Sequence, residues 1–254
     1  IWAPTYPWTA EYFGGIRCIA FTPSDGKIVL DEPALRRSWI DRAAFTRNPV
    51  HLDYVRTYER LRSQKSAVLR SSRPDVDVID VLDHQLALAG ARLMVRRMTM
   101  IDELTPHVRS LHLKIVGSKE SITLRYKSAL KGRTESELTE ELLSGFQRLR
   151  SEELRRRTLL LGPQRDDVEF LLADKPARLF GSRGQVRSIV LALKLAELLA
   201  ARERDEHPIF LLDDLSSELD QFRTKQLVET LEQLGTQVFI TTTDPKFLRA
   251  LPKE

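Results

Sequence analysis

Two adjacent carboxylates, Asp213 and Asp214, directly follow a short apolar run over residues 209 to 212. Such a run is typical of a strand that is buried on both faces of a parallel sheet. Both carboxylates would then lie at the carboxyl end of the strand, where open α/β sheets bind ligands. There, one carboxylate can hold Mg²⁺ while its neighbour orients or deprotonates the water that attacks a phosphoanhydride. The alternative is an acidic strand end that only caps the next helix.

A second candidate for phosphate binding is the sequence Phe-Gly-Ser-Arg-Gly-Gln at residues 180 to 185. The apolar positions that follow are too many for one face of a surface helix, so they predict a buried helix. The free N–H groups and the positive dipole end of its first turn favour an anion. Gly184 would allow a phosphate to approach the backbone closely. The alternative is a glycine-containing turn that precedes a core helix.

Composition limits the class of protein without identifying a ligand. The chain has 254 residues, of which 42% are hydrophobic, which is enough for a sizeable core in one or two domains. Its one cysteine, Cys18, cannot form a disulfide within the chain, so we expect a cytoplasmic location and a small core residue. The sequence contains no apolar run of the about 20 residues that a membrane span requires. The net charge of +4 permits an anionic partner.

Three motifs, in this order and spacing, resemble the signature motif, the Walker B motif and the D-loop of ABC-type ATPases. They are Ser-Arg-Gly-Gln at 182 to 185, the apolar run ending in Asp213-Asp214, and Ser-Ser-Glu-Leu-Asp at 216 to 220. Within that class the chain is most similar to the RecF family of bacterial recombination mediators. Further matches to the RecF pattern lie at residues 21 to 25, 162 to 167, 191 to 197 and 239 to 244, and at Pro33, Arg36, Arg37 and Asp41.

The sequence departs from the RecF pattern at two residues and in one missing loop. Gln164 and Thr243 stand where relatives often have histidine. A threonine hydroxyl can hydrogen-bond a phosphate but cannot replace the imidazole. The phosphate-binding loop G-x-x-x-x-G-K-[ST] does not occur in the sequence, and the first residue is not methionine. Together these two facts predict that the chain starts inside a longer protein.

The resemblance implies an α/β fold, with an ABC-type ATPase head of parallel or mixed sheet and an inserted, mainly helical arm. It also implies a dimer in which the signature motif of one protomer faces the ATP held by the other. Asp213 would then hold Mg²⁺ through water, Asp214 would be the catalytic base, and Asp220 would couple the two sites. The other implied site residues are Ser182, Arg183, Gly184 and Gln185 of the signature motif, Ser217 and Glu218 of the D-loop, and Thr243 and Asp244 of the switch segment.

The implied function is ATP-dependent DNA binding in replication, recombinational repair and the SOS response. The expected substrates are gapped DNA and junctions of single- and double-stranded DNA. The implied partners are a second copy of the chain, RecR, RecO and RecA, with ATP and Mg²⁺ as cofactors and no membrane. We expect the intact protein to hydrolyse ATP, but not these 254 residues alone. The alternative is a non-hydrolysing ABC-like module that dimerises or holds DNA, and a transporter ATPase fits the basic helical segment less well.

The pattern of apolar residues divides the chain into three predicted segments. Residues 1 to 32 would be the remainder of the first ATPase lobe, 33 to 157 the arm or second lobe, and 158 to 254 the ATPase head. Basic residues on the arm helices predict contact with DNA phosphates, and a solvated helix face is the alternative. The DNA-binding candidates are Arg56, Arg60, Arg92 and Arg96.

Apolar spacings of three and four predict helices over residues 33 to 73, 78 to 104 and 135 to 157. Alternation of apolar and polar residues near 111 to 126 predicts a β-hairpin, with His112 on its polar side. The remaining expected elements are strands at 16 to 21, 159 to 161, 168 to 172 and 238 to 243, and a helix after Asp220 that ends at Gly235.

Overall fold

In the computed structural model of the chain, residues 17–117, 120–214 and 219–243 are described. The strands are β1 (Cys18–Phe21), β2 (Ile122–Lys127), β3 (Asp167–Leu172), β4 (Lys175–Pro176), β5 (Ile209–Leu212) and β6 (Val238–Ile240). The helices are α1 (Lys27–Leu30), α2 (Pro33–Arg47), α3 (His51–Arg70), α4 (Val76–Val116), α5 (Glu135–Arg156), α6 (Ala177–Phe180), α7 (Arg183–Arg202) and α8 (Gln221–Leu234). Short 3₁₀ turns cover Pro23–Gly26 and Pro163–Arg165. The expected α/β class is confirmed.

The chain forms two compact units. The first takes the described residues up to Arg36, then Ile101–Arg125, then the described residues from Glu169 onward. The second unit consists of Arg37–Met100 and Tyr126–Val168. These bounds are not those of the predicted arm, residues 33 to 157: residues 33 to 36 and 101 to 125 belong to the first unit, and the second unit continues to Val168. The predicted division into two lobes and an arm stays a prediction.

A three-stranded parallel sheet in the order β1-β5-β6 organises the first unit. Its register aligns Phe21, Leu212 and Ile240, so the three strands reach their carboxyl ends at the same edge. Asp213 extends the pairing because its N–H donates to the Phe21 carbonyl at 2.9 Å. The predicted burial of β5 on both faces holds for Phe210 but not for Leu211, which is 37% exposed.

Helix α7 is the buried helix that the sequence predicted. Its apolar residues from Ile189 to Leu198 are fully buried or nearly so. Burying one such aliphatic side chain contributes about 1.5–3 kcal/mol, so α7 is a main stabilising element of the first unit. Cys18, in contrast, is exposed at the start of β1, and its expected core role is wrong.

The predicted β-hairpin is wrong in its first strand. Residues 111 to 115 belong to α4, which runs without interruption to Val116, and only β2 forms from the second half of the pattern. The reason is a buried stripe at helical spacing, formed by Leu104, Val108, Leu111 and Ile115. Leu113, which fitted the alternating pattern, is 37% exposed on the outer side of the helix. His112 is buried, not on a polar surface as predicted.

The predicted strand at residues 159 to 161 is also absent, because side chains bind this backbone instead of a neighbouring strand. The Leu160 N–H donates to a carboxylate oxygen of Glu153 at 2.7 Å, and the Leu159 carbonyl accepts from Arg165 at 2.9 Å. The other expected elements form with shifts at their ends. Strand β6 stops at Ile240, and the predicted helix over 33 to 73 is two helices, α2 and α3.

Helices α3, α4 and α5 supply most of the core of the second unit. This core contains a charged cluster: the Lys65 ammonium lies 2.5 Å from Asp83 and 2.6 Å from Glu153. The ammonium also lies 4.3 Å from the centre of the Phe146 ring, a cation–π contact. Lys65 is thus fully buried, unlike the exposed basic residues Arg56 and Arg60 of the same helix. In the described part of the chain, no helix is both long and apolar enough to cross a membrane.

Candidate functional site

The carboxylates that follow β5 are oriented by hydroxyls that follow β6. Thr241 donates its hydroxyl to Asp213 Oδ1 at 2.6 Å and accepts the Asp214 N–H at 2.9 Å. Thr243 donates to Asp214 Oδ1 at 3.3 Å. The parallel register of β5 and β6 brings these residues together, since both strands end at the same edge. We call these four residues the strand-end cluster.

The backbone of Asp214 adopts the left-handed region, with φ of 47°. This conformation costs a non-glycine residue about 1–2 kcal/mol, and aspartate is among the residues that tolerate it best. Asp213 is exposed and Asp214 half-buried, so both carboxylates remain accessible from solvent. Asp174 and Asp205 share this conformation, so it sets the position of the Asp214 carboxylate without by itself assigning a role.

Thr241 is the member of the strand-end cluster that the sequence interpretation did not single out. That interpretation gave a role to Thr243, but Thr241 contacts both aspartates and at shorter distances. The available signal was the run of three threonines after an apolar strand, in which the first lies nearest to the strand end.

The N-terminal turn of α7 is closed by a reciprocal capping box. The Gln185 N–H donates to the Ser182 hydroxyl at 3.2 Å, and the Ser182 N–H donates to the Gln185 side-chain oxygen at 2.8 Å. Gln185 also donates to a carboxylate oxygen of Glu120 at 2.9 Å. The cap satisfies only the third N–H of the helix. The N–H groups of Arg183 and Gly184 have no partner within the helix, as an anion-binding turn requires.

A guanidinium lies against the glycine of this turn. A Cβ at position 184 would lie 3.1 Å from Nη1 of Arg223, the third residue of α8. Asp220 is the N-cap of α8, and its Oδ1 accepts the Arg223 N–H at 2.9 Å. The predicted coupling role of Asp220 stays a prediction. Ser217, Glu218 and Asp244 lie outside the described residues.

The turn that follows β1 is joined to α7 by an ion pair. Thr22 and Asp25 form a capping box, in which the Thr22 N–H donates to the Asp25 carboxylate at 2.8 Å. The buried ammonium of Lys194 lies 3.3 Å from the same carboxylate. The sequence interpretation assigned no separate role to Lys194, because its partner Asp25 lies in a distant segment. A cleft of about 200 Å³ opens beside this turn, with Arg183 and Arg187 among its lining residues.

The basic candidates on the second unit divide by exposure. Arg56, Arg60 and Arg92 are exposed, and Arg92 pairs with Glu135 at 3.4 Å. Arg96 is half-buried, with its guanidinium 4.5 Å from the centre of the Tyr54 ring. Three of the four candidates are therefore on the surface, whereas Arg96 packs partly against the aromatic ring.

Arg97 is buried and binds within the second unit, so it does not extend the basic surface. Its guanidinium donates two hydrogen bonds to Asp41, at 2.8 and 2.7 Å, and one to the Pro163 carbonyl at 2.9 Å. Burial alone would raise the pKa of Asp41, but hydrogen bonds from His51 and Arg97 outweigh it and lower that pKa to about 2.

A metal ion at this edge would depend on few protein ligands. Among the described residues, no group of three or more histidine, cysteine, aspartate or glutamate side chains is placed to hold a metal. Mg²⁺ commonly binds through one or two carboxylates, with waters and substrate phosphates completing the shell. The exposed carboxylate of Asp213, of which Oδ1 accepts from Thr241, fits that pattern.

Comparison with known proteins gives a consistent result across sequence and structure. The chain is 41% identical over 243 residues to the DNA replication and repair protein RecF of Geobacter metallireducens, covering 94% of this chain and 66% of that protein. It is 32% identical over 247 residues to RecF of Streptococcus equi subspecies zooepidemicus, covering 96% and 67%. The chain thus spans about two thirds of the length of these relatives. No protein-family model matches it.

Solved structures agree with these relatives. A structure of the recombination mediator protein RecF with ATP, in the RecFOR pathway, matches with a TM-score of 0.83 at 27% identity, covering 92% of this chain and 64% of that one. A second RecF structure, with an ATP analogue, matches with a TM-score of 0.83 at 26% identity, covering 96% and 66%. On these sequence and structural similarities, the chain belongs to the RecF family of DNA replication and repair proteins.

Proposed function

We propose that this chain is the part of an ATP-dependent recombination mediator that carries the hydrolytic carboxylates and the surface offered to a partner's nucleotide. The observation that carries the proposal is the strand-end cluster, in which two threonine hydroxyls orient two adjacent carboxylates. A cap for the next helix would need neither the second carboxylate nor the hydroxyl donors. Paired carboxylates of this kind suit metal binding and activation of water in phosphoryl transfer.

The two aspartates would have different tasks. Asp213 is exposed, so it would hold Mg²⁺ through water. Asp214 would accept the proton of the attacking water, in a position fixed by its backbone and by Thr243. When bound, Mg²⁺ would neutralise part of the charge on the phosphates.

The N-terminal turn of α7 would complete the nucleotide site of a second protomer. Its uncapped N–H groups and the Ser182 hydroxyl form a surface that suits phosphate oxygens. The proposal therefore includes a homodimer that closes on ATP, in which the turn and the strand-end cluster of one protomer would serve different nucleotides. Switch and D-loop roles for Thr243, Asp244, Ser217, Glu218 and Asp220 belong to the same proposal.

DNA would bind through the exposed arginines Arg56, Arg60 and Arg92. They are scattered along two helices. The aromatic residues among them are not free to stack on bases, because Tyr58 is buried and Tyr54 lies against the Arg96 guanidinium. This favours phosphate contact over base stacking. The proposed substrate is gapped DNA, and the proposed partners RecO, RecR and RecA fit the RecFOR pathway in which the RecF structures were placed. The proposed compartment is the cytoplasm.

The test uses a full-length RecF that contains this chain, with Asp214→Asn and a matched control. In Asp214→Asn, we expect Mg²⁺-ATP to bind with unchanged affinity while turnover falls by about 100-fold or more, the scale of general-base catalysis. The ATP-bound dimer should therefore accumulate on gapped DNA, which gel filtration of the complex measures. Asp174→Asn is the control, because Asp174 lies in an exposed turn and, like Asp214, has a positive φ, of 60°.

Wild-type turnover in the Asp214→Asn variant would remove Asp214 from the catalytic role. Dimerisation and DNA binding by a wild-type protein that does not hydrolyse ATP would support the alternative, a non-hydrolysing module.

The arginines are tested by measuring the affinity for duplex DNA at several salt concentrations. Arg60→Gln and Arg92→Gln should each lower the slope of log affinity against log salt by about 0.9. An unchanged slope would place the DNA site elsewhere.

A further inference from the structure

Arg223 occupies the place where the sequence predicted that a phosphate approaches the backbone. Its two terminal nitrogens would lie 3.1 and 3.7 Å from a Cβ at position 184. Any side chain at that position would crowd the guanidinium. Glycine at position 184 therefore makes room for the arginine as well as for a ligand.

Helix α8 is held against the end of α4, so the position of Arg223 is set by packing at both ends of α8. The Phe222 ring lies on Gly117, where a Cβ would be only 2.9 Å from the ring. Gly117 has φ of 64°, which is a second reason for glycine there. Near the other end of α8, the Lys114 ammonium donates to the Gln233 side chain at 2.8 Å.

The charge of Arg223 is only weakly compensated. Within the described residues its ion pair is with Asp220, at 3.6 Å, and the Asp220 side chain is 58% exposed. The Arg223 side chain is 21% exposed, but the long distance and the exposed partner make the pair a weak one, so it can be exchanged for a phosphate at small cost. The nearby Glu120 carboxylate accepts a hydrogen bond from Gln185. Burial lowers the pKa of His112, so the neighbouring imidazole adds no second positive charge at neutral pH.

We propose that Arg223 contacts, in trans, the terminal phosphate of the ATP bound by the partner subunit of the dimer. This proposal rests on the proposed function, because it requires that the α7 turn faces that nucleotide. The guanidinium presents several N–H donors in a planar fork that matches phosphate oxygens. A fixed positive charge beside the transferring phosphoryl group stabilises the transition state more than the bound ground state. Arg223 would then act with the α7 turn on the same group of oxygens.

The first test compares Arg223→Gln, Arg223→Lys and Lys225→Gln in the full-length protein. Lys225 is the control because it lies on the same helix, is exposed, and pairs only at 3.9 Å with Glu229. Arg223→Gln should lower both ATP-dependent dimerisation and turnover by at least tenfold. The Mg²⁺-ATP affinity of the protomer should change less than twofold, because the contact is made to the partner's nucleotide. Arg223→Lys should retain part of the turnover, and Lys225→Gln nearly all of it.

The second test asks whether Arg223 acts on its own nucleotide or on the partner's. Arg223→Gln protein is mixed with an equal amount of Asp214→Asn protein, and phosphate release is measured. A mixed dimer contains one site with an intact Asp214 from one protomer and an intact Arg223 from the other. Turnover should therefore recover to well above the sum of the two variants measured alone. This recovery also excludes misfolding of Arg223→Gln as the cause of its defect.

Two results would overturn the proposal. The first is turnover and dimerisation of Arg223→Gln at wild-type levels while Asp214→Asn is inactive, which refutes the role of Arg223 and leaves the proposed function standing. The second is a mixture that shows no recovery, which places Arg223 in cis or in a purely structural role. If Asp214→Asn hydrolyses ATP as fast as the wild type, the proposed function is refuted, and this inference with it.

Discussion

Charged groups are used in opposite ways in the two units of the molecule. In the first unit, Asp213 and Asp214 lie at an accessible strand end, and each is oriented by a hydroxyl donor. In the second unit, Lys65 is fully buried between two carboxylates. A hydroxyl donor leaves a carboxylate its charge and its remaining lone pairs, whereas the buried ammonium and its two carboxylates compensate each other's charge. The first arrangement is available to a ligand, and the second fixes the packing of helices.

The largest expected effect follows from removal of the buried ammonium. Lys65→Met should destabilise the second unit by about 3–5 kcal/mol, because Asp83 and Glu153 would remain buried without their cation. Urea unfolding, followed by far-ultraviolet circular dichroism, measures the change. Lys131→Met is the control, since Lys131 is exposed in the same unit and should change stability by less than about 0.5 kcal/mol. Equal effects of the two substitutions would contradict the structural role of the cluster.

A smaller effect is expected from pH in the same unit. The pKa of Asp41 is lowered to about 2 in the folded chain, from a reference of 3.8. The unfolded chain therefore binds this proton more readily, so the contribution of Asp41 is complete above about pH 4 and is lost as the pH falls towards 2. The shift corresponds to about 2 kcal/mol of unfolding free energy.

The Asp41→Asn variant tests this origin of the acid sensitivity. Measured against pH by urea unfolding, it should be less stable than the wild type at pH 7 and should lose less stability between pH 4 and pH 2. The substitution leaves the buried guanidinium of Arg97 without its carboxylate, which explains the loss at neutral pH. If the free energy of unfolding of Asp41→Asn falls below pH 4 as steeply as that of the wild type, other carboxylates cause the acid sensitivity.

The smallest effect on stability is expected at the strand-end cluster. Substitutions there should change turnover more than they change the free energy of unfolding. Thr241→Val removes one donor and one acceptor at an exposed site, so it should cost no more than about 1 kcal/mol of stability. In the full-length protein, turnover should nevertheless fall by about tenfold, because the orientation of Asp213 is lost. Thr243→Val is the comparison, and its effect on turnover should be smaller, since its hydrogen bond is longer at 3.3 Å. If Thr243→Val lowered turnover more than Thr241→Val, then Thr243 and not Thr241 would be the main hydroxyl donor to the aspartates.

Features with a local signal could be predicted from the sequence. Ser182 before an apolar helix and Gly235 after one are cap residues, and both occupy those positions. An apolar run that ends in two aspartates predicted a strand end, and β5 stops at Leu212.

Features that depend on contacts between distant segments could not be predicted in this way. Nothing near Lys65 in the sequence indicates that Glu153 will cover it, and nothing near Gly184 indicates Arg223. The missed helical stretch has a different cause, because Leu111 and Ile115 fit both a period of two and a period near 3.6. Only the continuation of the buried stripe from Leu104 and Val108 distinguishes the two patterns.

The most direct test of the central claim is single-turnover phosphate release by the full-length protein, with wild-type, Asp214→Asn and Asp174→Asn chains measured side by side at saturating Mg²⁺-ATP. If the strand-end cluster is the hydrolytic site, the wild type and Asp174→Asn should release phosphate at similar rates. Asp214→Asn should release it about 100-fold more slowly. Release by Asp214→Asn at the wild-type rate, with dimerisation intact, would contradict the claim and place the catalytic base elsewhere.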